Sequence, residues 1–283
     1  MKAANVAEVP IQGKGGFRHF FHIAFCGRNY HGWQRLPHNT SIQNLVEKAL
    51  CSVMKKQVGV VGCGRTDTGV HASQYFFHAD LESPVTDEMV FRLNKNLPPD
   101  IAVFDVIPVA SEHHARFSAA ERTYTYFIHH TKDPFLDSLS SFYQNCEVDL
   151  IKMKEAAMLL PLERDYSQFH RLASRPNTTI CHVTDVKLFV NKTGDRIKFI
   201  ISANRFLSGM VRIILYRLLD VAKRKISVEQ FANYLHRTEI PFNRKSAYPQ
   251  GLYLSEVRYP FLHLPCKSTF FNLVDKEEVW VTV

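Results

Sequence analysis

The alternation of apolar and polar positions becomes regular at residue 17. FRHFFHIAF (17–25) reads as a strand, and after a Gly/Asn/His turn the spacing changes. In SIQNLVEKALCSVM, residues Ile42, Leu45, Val46, Ala49, Leu50 and Val53 recur every three or four positions and share one helical face. Thr40, with Gln43 three residues later, has the pattern of a capping box at the start of that helix. VGVVGCGR (58–65) and QYFFHADL (74–81) read as strands, TDEMVFRLNKNL (86–97) as a helix opening at a threonine cap, and IAVFDVIPV (101–109) as a strand. The order β, α, β, β, α, β is the split βαβ arrangement of a ferredoxin-like lobe.

The second half follows a similar plan without repeating the sequence. RTYTYFIHH (122–130) reads as a strand, DLIKMKEAAMLL (149–160) as a helix, and CHVTDVKLFV (181–190) and RIKFIISA (196–203) as two long strands. A strongly apolar helix is predicted over 206–225, a further helix over 227–237 and a strand in GLYLSEVRYP (251–260). The predicted division is a first α/β lobe over 17–112 and a second, elaborated α/β lobe over 113–262. A small, polar leader at 1–16 reads as disordered, and a tail at 263–283 carries no assigned role.

Composition narrows the class. At 283 residues, 46% hydrophobic and 22% charged, the chain has the balance of a soluble globular protein with a real core, and its length favours two lobes over one. The formal net charge of +8 favours a polyanionic partner. The six cysteines form no CxxC pair or zinc-finger spacing, and the first residues lack the apolar core of a signal peptide, so reduced thiols in a cytoplasm are expected. There is no HExxH, no structural metal is expected, and no apolar run approaches the roughly 20 residues that span a bilayer.

Three places carry candidate chemistry. In GCGRTDTGVH (62–71), Asp67 follows a strand; an aspartate there commonly caps an Asx turn, but Gly62, Gly64 and Gly69 leave room for something bulky to approach it. Arg212 sits amid Met210, Val211, Ile213, Ile214 and Leu215, where it must either snorkel to solvent or meet a carboxylate. Tyr124 and Tyr126 share a strand face, which makes them either core residues or a platform for stacking a base.

Five segments, YHGWQR (30–35), GRTDTGVHA (64–72), ARFSAAERTYTY (115–126), FLSGMVR (206–212) and GLYLSEVRYP (251–260), resemble in order and spacing the TruA family of tRNA pseudouridine synthases. The similarity covers about residues 18–260. The resemblance implies an α+β fold of two ferredoxin-like lobes whose antiparallel sheets join side by side, with the active-site cleft between them. It implies an isomerase without a cofactor that converts uridine to pseudouridine at positions 38–40 of the tRNA anticodon arm, working as a homodimer on tRNA. Carried over by motif, Asp67 falls on the catalytic aspartate, Arg65 on the arginine that helps displace the target nucleotide, Tyr124 on the residue that stacks on the uracil, and Arg212 on the partner of the aspartate.

The sequence departs from the family pattern in two places. Tyr248 stands in SAYPQGLYL where a proline is common, and RPNTTICHV (175–183) lacks an arginine often found there. Candidate phosphate contacts are Arg28, Arg35, Arg65, Arg116, Arg175, Arg205 and the cluster Lys223, Arg224 and Lys225. Asp-Thr-Gly at 67–69 also matches the aspartic-protease motif, but there is no second copy, and Arg65 would oppose a proton shared between two carboxylates. A non-catalytic RNA-binding protein on the same fold would be expected to have lost Asp67 or Tyr124.

Overall fold

β1 (Phe17–Phe25) is the first strand of the sheet. Successive side chains on a strand face opposite ways, yet Phe20 and Phe21 are both wholly buried. The sheet is therefore covered on both faces. On one side Phe21 stacks on Phe77 at 4.6 Å; on the other Phe20 meets the rings of Tyr259 and Phe261 at 5.2 and 5.7 Å. A computed structural model describes residues 16–82, 85–86, 88–144, 148–174, 176–268 and 280–283. Apart from Gly16, the predicted leader lies outside the described residues.

β1 pairs antiparallel with β3 (His71–Leu81) and β4 (Ile101–Pro108). α1 (Ile42–Met54) and α2 (Glu88–Asn96) connect these strands. In the second half, β5 (Glu121–His129), α3 (Leu150–Ala157), β7 (Val183–Asn191), β8 (Arg196–Ala203), α4 (Met210–Ala222), α5 (Val228–His236) and β9 (Leu252–Arg258) follow. Two short strands, β2 (Val61–Gly62) and β6 (Ser141–Phe142), pair with β3 and β5. With β10 (Trp280–Thr282), the main path of the single sheet runs β10-β7-β8-β5-β9-β3-β1-β4. The halves meet where β9 pairs antiparallel with β5 and parallel with β3, at His71↔Tyr253 and Ala72↔Leu254.

Two hydrophobic clusters flank this seam. One gathers β1, β3, α1 and α2 with Leu254, Val257 and Tyr259; the other gathers α3, α4, α5 and the second-half strands with Val70. Each half thus lends residues to the core of the other.

The structure corrects several sequence expectations. The strand predicted at 58–65 shortens to two residues because side chains take its later carbonyls: Arg122 donates to Cys63 O at 2.7 Å and Tyr75 Oη to Gly64 O at 2.5 Å. Ser41, not Thr40, caps α1; its extended backbone lets Oγ accept from Asn44 N–H at 3.3 Å, while the Gln43 side chain turns to Glu47. α4 begins four residues later than expected, at Met210, because Gly209 has φ +73° and breaks the preceding turn. The tail, which carried no assigned role, supplies the outer strand β10, and Lys198 lies over the Trp280 ring at 4.5 Å.

His71 braces the seam as a neutral ring. Its Nδ1 accepts from Gly27 N–H at 3.1 Å, its Nε2 then donates to Gln250 O at 3.1 Å, and the ring stacks on Tyr253 at 4.6 Å. Burial pushes its pKa down to about 4, and burial likewise takes that of His78, which accepts from Ala115 N–H, to about 4. In the unfolded chain both rings titrate near 6.5, so the unfolded state binds more protons below that pH. Stability is therefore complete above about pH 6.5 and is lost as the pH falls toward 4, by about 3 kcal/mol for His71 alone. Denaturant midpoints measured from pH 7.5 to 4 should fall across this window. The fall should be shallower in His71→Asn, whose amide oxygen can still accept from Gly27.

Candidate active site

The segment 63–70 leaves β2 and turns into β3 at the seam. Val70 N–H donates to Asp67 O at 3.1 Å, closing a turn whose third residue, Gly69, has φ +77°, a backbone region that suits glycine. Gly69 N–H in turn donates to Tyr30 O at 3.2 Å. Trp33 packs on Tyr75 with centroids 4.4 Å apart, so the YHGWQR segment forms the back wall of the Asp67 loop. The expectation that Gly62 leaves room for a ligand is corrected: a Cβ there would lie 2.1 Å from Tyr75 Oη and 2.5 Å from Trp33 Nε1, so the protein fills that space itself. Gly64 does open onto the cleft.

Asp67 does not cap the turn. Its Oδ2 accepts from Arg212 Nη1 at 3.0 Å and from Arg171 Nη2 at 2.8 Å. Among the described residues no backbone N–H donates to its side chain, and Oδ1 has no hydrogen bond. Arg212 does not escape to solvent. Its side chain is 13% exposed, its Nε donates to Ala247 O at 2.7 Å, and its own carbonyl accepts from Ala247 N–H at 2.9 Å. A buried guanidinium is tolerable when paired and hydrogen-bonded in this way. The partner of Asp67 is not a second carboxylate, which removes the structural basis of the aspartic-protease alternative.

Around this pair lies a cleft of about 820 Å³ whose walls include Arg65, Arg116, Tyr124, Arg205 and Phe206. Tyr124 stands on β5 with its ring edge-on to Phe206 at 5.1 Å, and burial pushes its hydroxyl pKa well up. Tyr126 is not a second platform; it is wholly buried, with its hydroxyl 2.8 Å from Ser141 Oγ and 2.9 Å from Tyr248 O. Arg65 is exposed and, among the described residues, has no hydrogen bond or ion pair. The structure thus gathers Asp67, Arg65, Tyr124 and Arg212 about one cleft.

Two residues at the site escaped the sequence reading. Arg171 lies in the irregular stretch between residues 162 and 183, where no periodicity singles it out. Arg122 ties β5 to the Asp67 loop through Cys63 O and reaches Arg116 O and Asn204 O at 2.7 and 3.2 Å. Of the other candidate phosphate contacts, Arg116 and Arg205 line the cleft. Arg28, Arg35 and Arg224 are engaged with Asp137, Glu47 and Asp149 on the surface, and Lys223 lies over the Tyr143 ring. Arg175 lies outside the described residues. No group of three or more His, Cys, Asp or Glu side chains placed to hold a metal occurs among the described residues. No helix among them is long and apolar enough to cross a membrane.

Comparison with known proteins adds an independent line. A sequence model described as tRNA pseudouridine synthase matches residues 156–260. The chain is 39% identical over 248 residues to tRNA pseudouridine synthase A of Porphyromonas gingivalis, covering 86% of this chain and 97% of the relative. It is 38% identical to the protein of that name from Bacteroides thetaiotaomicron, with 86% and 91% covered. The protein of that name from Aeromonas hydrophila is also 38% identical, with 84% and 88% covered.

The packing behind the loop yields a stability test. Gly62→Ala forces a methyl group into Tyr75 and Trp33 and should destabilise the protein by about 1–3 kcal/mol in chemical denaturation. Gly59→Ala, with no atom within 4 Å of the added carbon, should stay within about 0.5 kcal/mol of the native protein.

Proposed function

Because the chain belongs to the TruA family of tRNA pseudouridine synthases, we propose that its cleft isomerises uridine at positions 38–40 of the tRNA anticodon arm, with Asp67 as the catalytic residue. The observation that carries the reading is Asp67 itself: a carboxylate beside an open cleft, gripped on Oδ2 by two guanidiniums and without a hydrogen bond on Oδ1 among the described residues.

The reaction leaves the composition of the nucleotide unchanged while exchanging one proton. The N1–C1′ bond breaks, the uracil turns while held, a C5–C1′ bond forms, the proton on C5 leaves and N1 takes one up. The base must first come out of its stack, at a cost of a few kcal/mol. Stacking on an aromatic ring returns about 1–3 kcal/mol per base, the part assigned to Tyr124. Arg65, exposed and unpaired among the described residues, is free to enter the gap the base leaves. The carboxylate of Asp67 can attack C1′, attack C6 or remove a ribose proton, and each route needs it close to the glycosidic bond of the extruded nucleotide.

The architecture is read in the same way. β4-β1-β3 with β2 beyond, and β9-β5-β8-β7, follow the strand order of two ferredoxin-like lobes joined edge to edge through β3 and β9. This supports a division at about residue 112, with lobes over 17–112 and 113–262 and a tail at 263–283. A homodimer acting on one tRNA, and a place in the cytoplasm, belong to the same reading through the family resemblance alone.

Tritium release from tRNA transcripts labelled at uracil C5 tests the chemistry. The native protein should release tritium, and Asp67→Asn should abolish release by at least a thousandfold while tRNA binding persists. Mapping of the product should place pseudouridine at positions 38–40. Tight, salt-sensitive binding without release would leave an RNA-binding protein, and pseudouridine elsewhere in the tRNA would overturn the positional reading.

A further inference from the structure

Two guanidiniums share Oδ2 of Asp67, and they are held very differently. Arg212 is 13% exposed and fixed at both ends, through Ala247 O and through Asp67. Arg171 is held along its stem: its backbone N–H donates to Ser208 O at 3.0 Å, and its Cγ, Cδ and Nε lie against Gly209, within 3.5 Å of where a Cβ would stand. The head then reaches Asp67 through Nη2, and the side chain remains 46% exposed. A guanidinium has five N–H donors in a planar fork. Among the described residues, the bond to Asp67 is the only hydrogen bond the Arg171 side chain makes. The following residues Ala173, Ser174, Pro176 and Asn177 line the cleft.

The charges here do not balance. One carboxylate faces two guanidiniums, and Arg65 and Arg205 add two more positive groups to the same cleft without an ion pair among the described residues. Such a surplus suits an anion, and the polyanion this enzyme acts on carries one per nucleotide. Arg212, the other arginine on Asp67, is shielded from solvent and gives Nε to Ala247 O as well as Nη1 to the carboxylate. Arg171 instead offers one edge to the carboxylate and leaves the other open, the geometry in which a guanidinium takes a second anion in bidentate fashion.

We propose that Arg171 bridges Asp67 to a backbone phosphate of the bound tRNA strand, at or next to the nucleotide being isomerised, and so acts as a positioning residue that couples docking of the strand to placement of the carboxylate. The inference rests on Asp67 being the catalytic carboxylate. An uncharged backbone would leave the open edge of Arg171 without a partner, and the bond to Asp67 would then not be tied to the position of the strand. Lysine at this position restores the charge near the phosphate but lacks the two-edged fork, so it restores binding and not placement.

The test compares Arg171→Ala and Arg171→Lys in tritium release, and in tRNA binding as a function of salt on the Asp67→Asn background, where no turnover intervenes. Arg171→Ala should lower kcat about tenfold or more, and on the Asp67→Asn background it should reduce the slope of log affinity against log salt by about 0.7–0.9, one phosphate contact. Arg171→Lys should recover the slope while kcat stays low. An unchanged salt slope in Arg171→Ala would overturn the bridge and leave a brace. An unchanged kcat, or full recovery of kcat by lysine, would overturn the positioning role. Thermal melting of each variant checks the fold, and Arg171→Gln serves as the second neutral variant if alanine unfolds the loop. No tritium release by the native protein would sink the reading of Asp67 itself, whatever the Arg171 variants do.

Discussion

The pairing of Asp67 with Arg212 is the constraint around which the rest of the molecule is arranged. The carboxylate comes from a turn in the first half of the chain and the guanidinium from the first turn of an apolar helix in the second, and their atoms meet at 3.0 Å. Neither group is at ease alone: the Asp67 side chain is 19% exposed and that of Arg212 13%. Left without its partner, a largely buried charge of either sign would cost several kcal/mol. The two halves must therefore be held in one register, and the continuous sheet does this.

The seam shows how. β9 belongs to the second half by sequence yet pairs with β3 of the first, and Leu254, Val257 and Tyr259 enter the first half's core. Val70 of the first half enters the core of the second. Arg122 and His71 fasten the same line, Arg122 by donating to Cys63 O and Asn204 O, and His71 by joining Gly27 to Gln250. The carbonyls of Cys63 and Gly64 before Asp67 and the N–H groups of Gly69 and Val70 after it thus have fixed partners, while one oxygen of its side chain has none among the described residues. That division leaves the carboxylate open on one side while the turn beneath it is held.

Regular elements were legible because their side chains repeat with the period of the backbone. β1 and β8 fall on the residues read from the sequence, and the helical face Ile42, Val46, Ala49, Leu50 and Val53 is buried as its spacing requires. The losses came where a side chain competed with the backbone. Arg122 and Tyr75 claimed carbonyls that would have extended β2, and Ser41 rather than Thr40 had the extended backbone needed to cap α1. The site divided along the same line. Asp67 and Arg212 were visible through motif and through the oddity of a charge in an apolar helix, whereas Arg171 lay in an irregular stretch where one arginine looks like any other. Gly62 was misjudged because sequence shows the missing side chain and not the indole and phenol that fill its place.

The positive charge of the chain is also arranged rather than merely present. On the surface Arg28, Arg35 and Arg224 each face a carboxylate, so their fields are partly cancelled and further screened by salt. In the cleft Arg65 and Arg205 have no acidic partner among the described residues, and Asp67 offsets only one of its two arginines. A concave, partly apolar wall around unpaired cations concentrates their potential where a strand would lie. The net charge of +8 draws a polyanion from a distance. Its local surplus in the cleft around Asp67, whose Oδ1 has no hydrogen bond among the described residues, makes that cleft a place where such an attraction is concentrated.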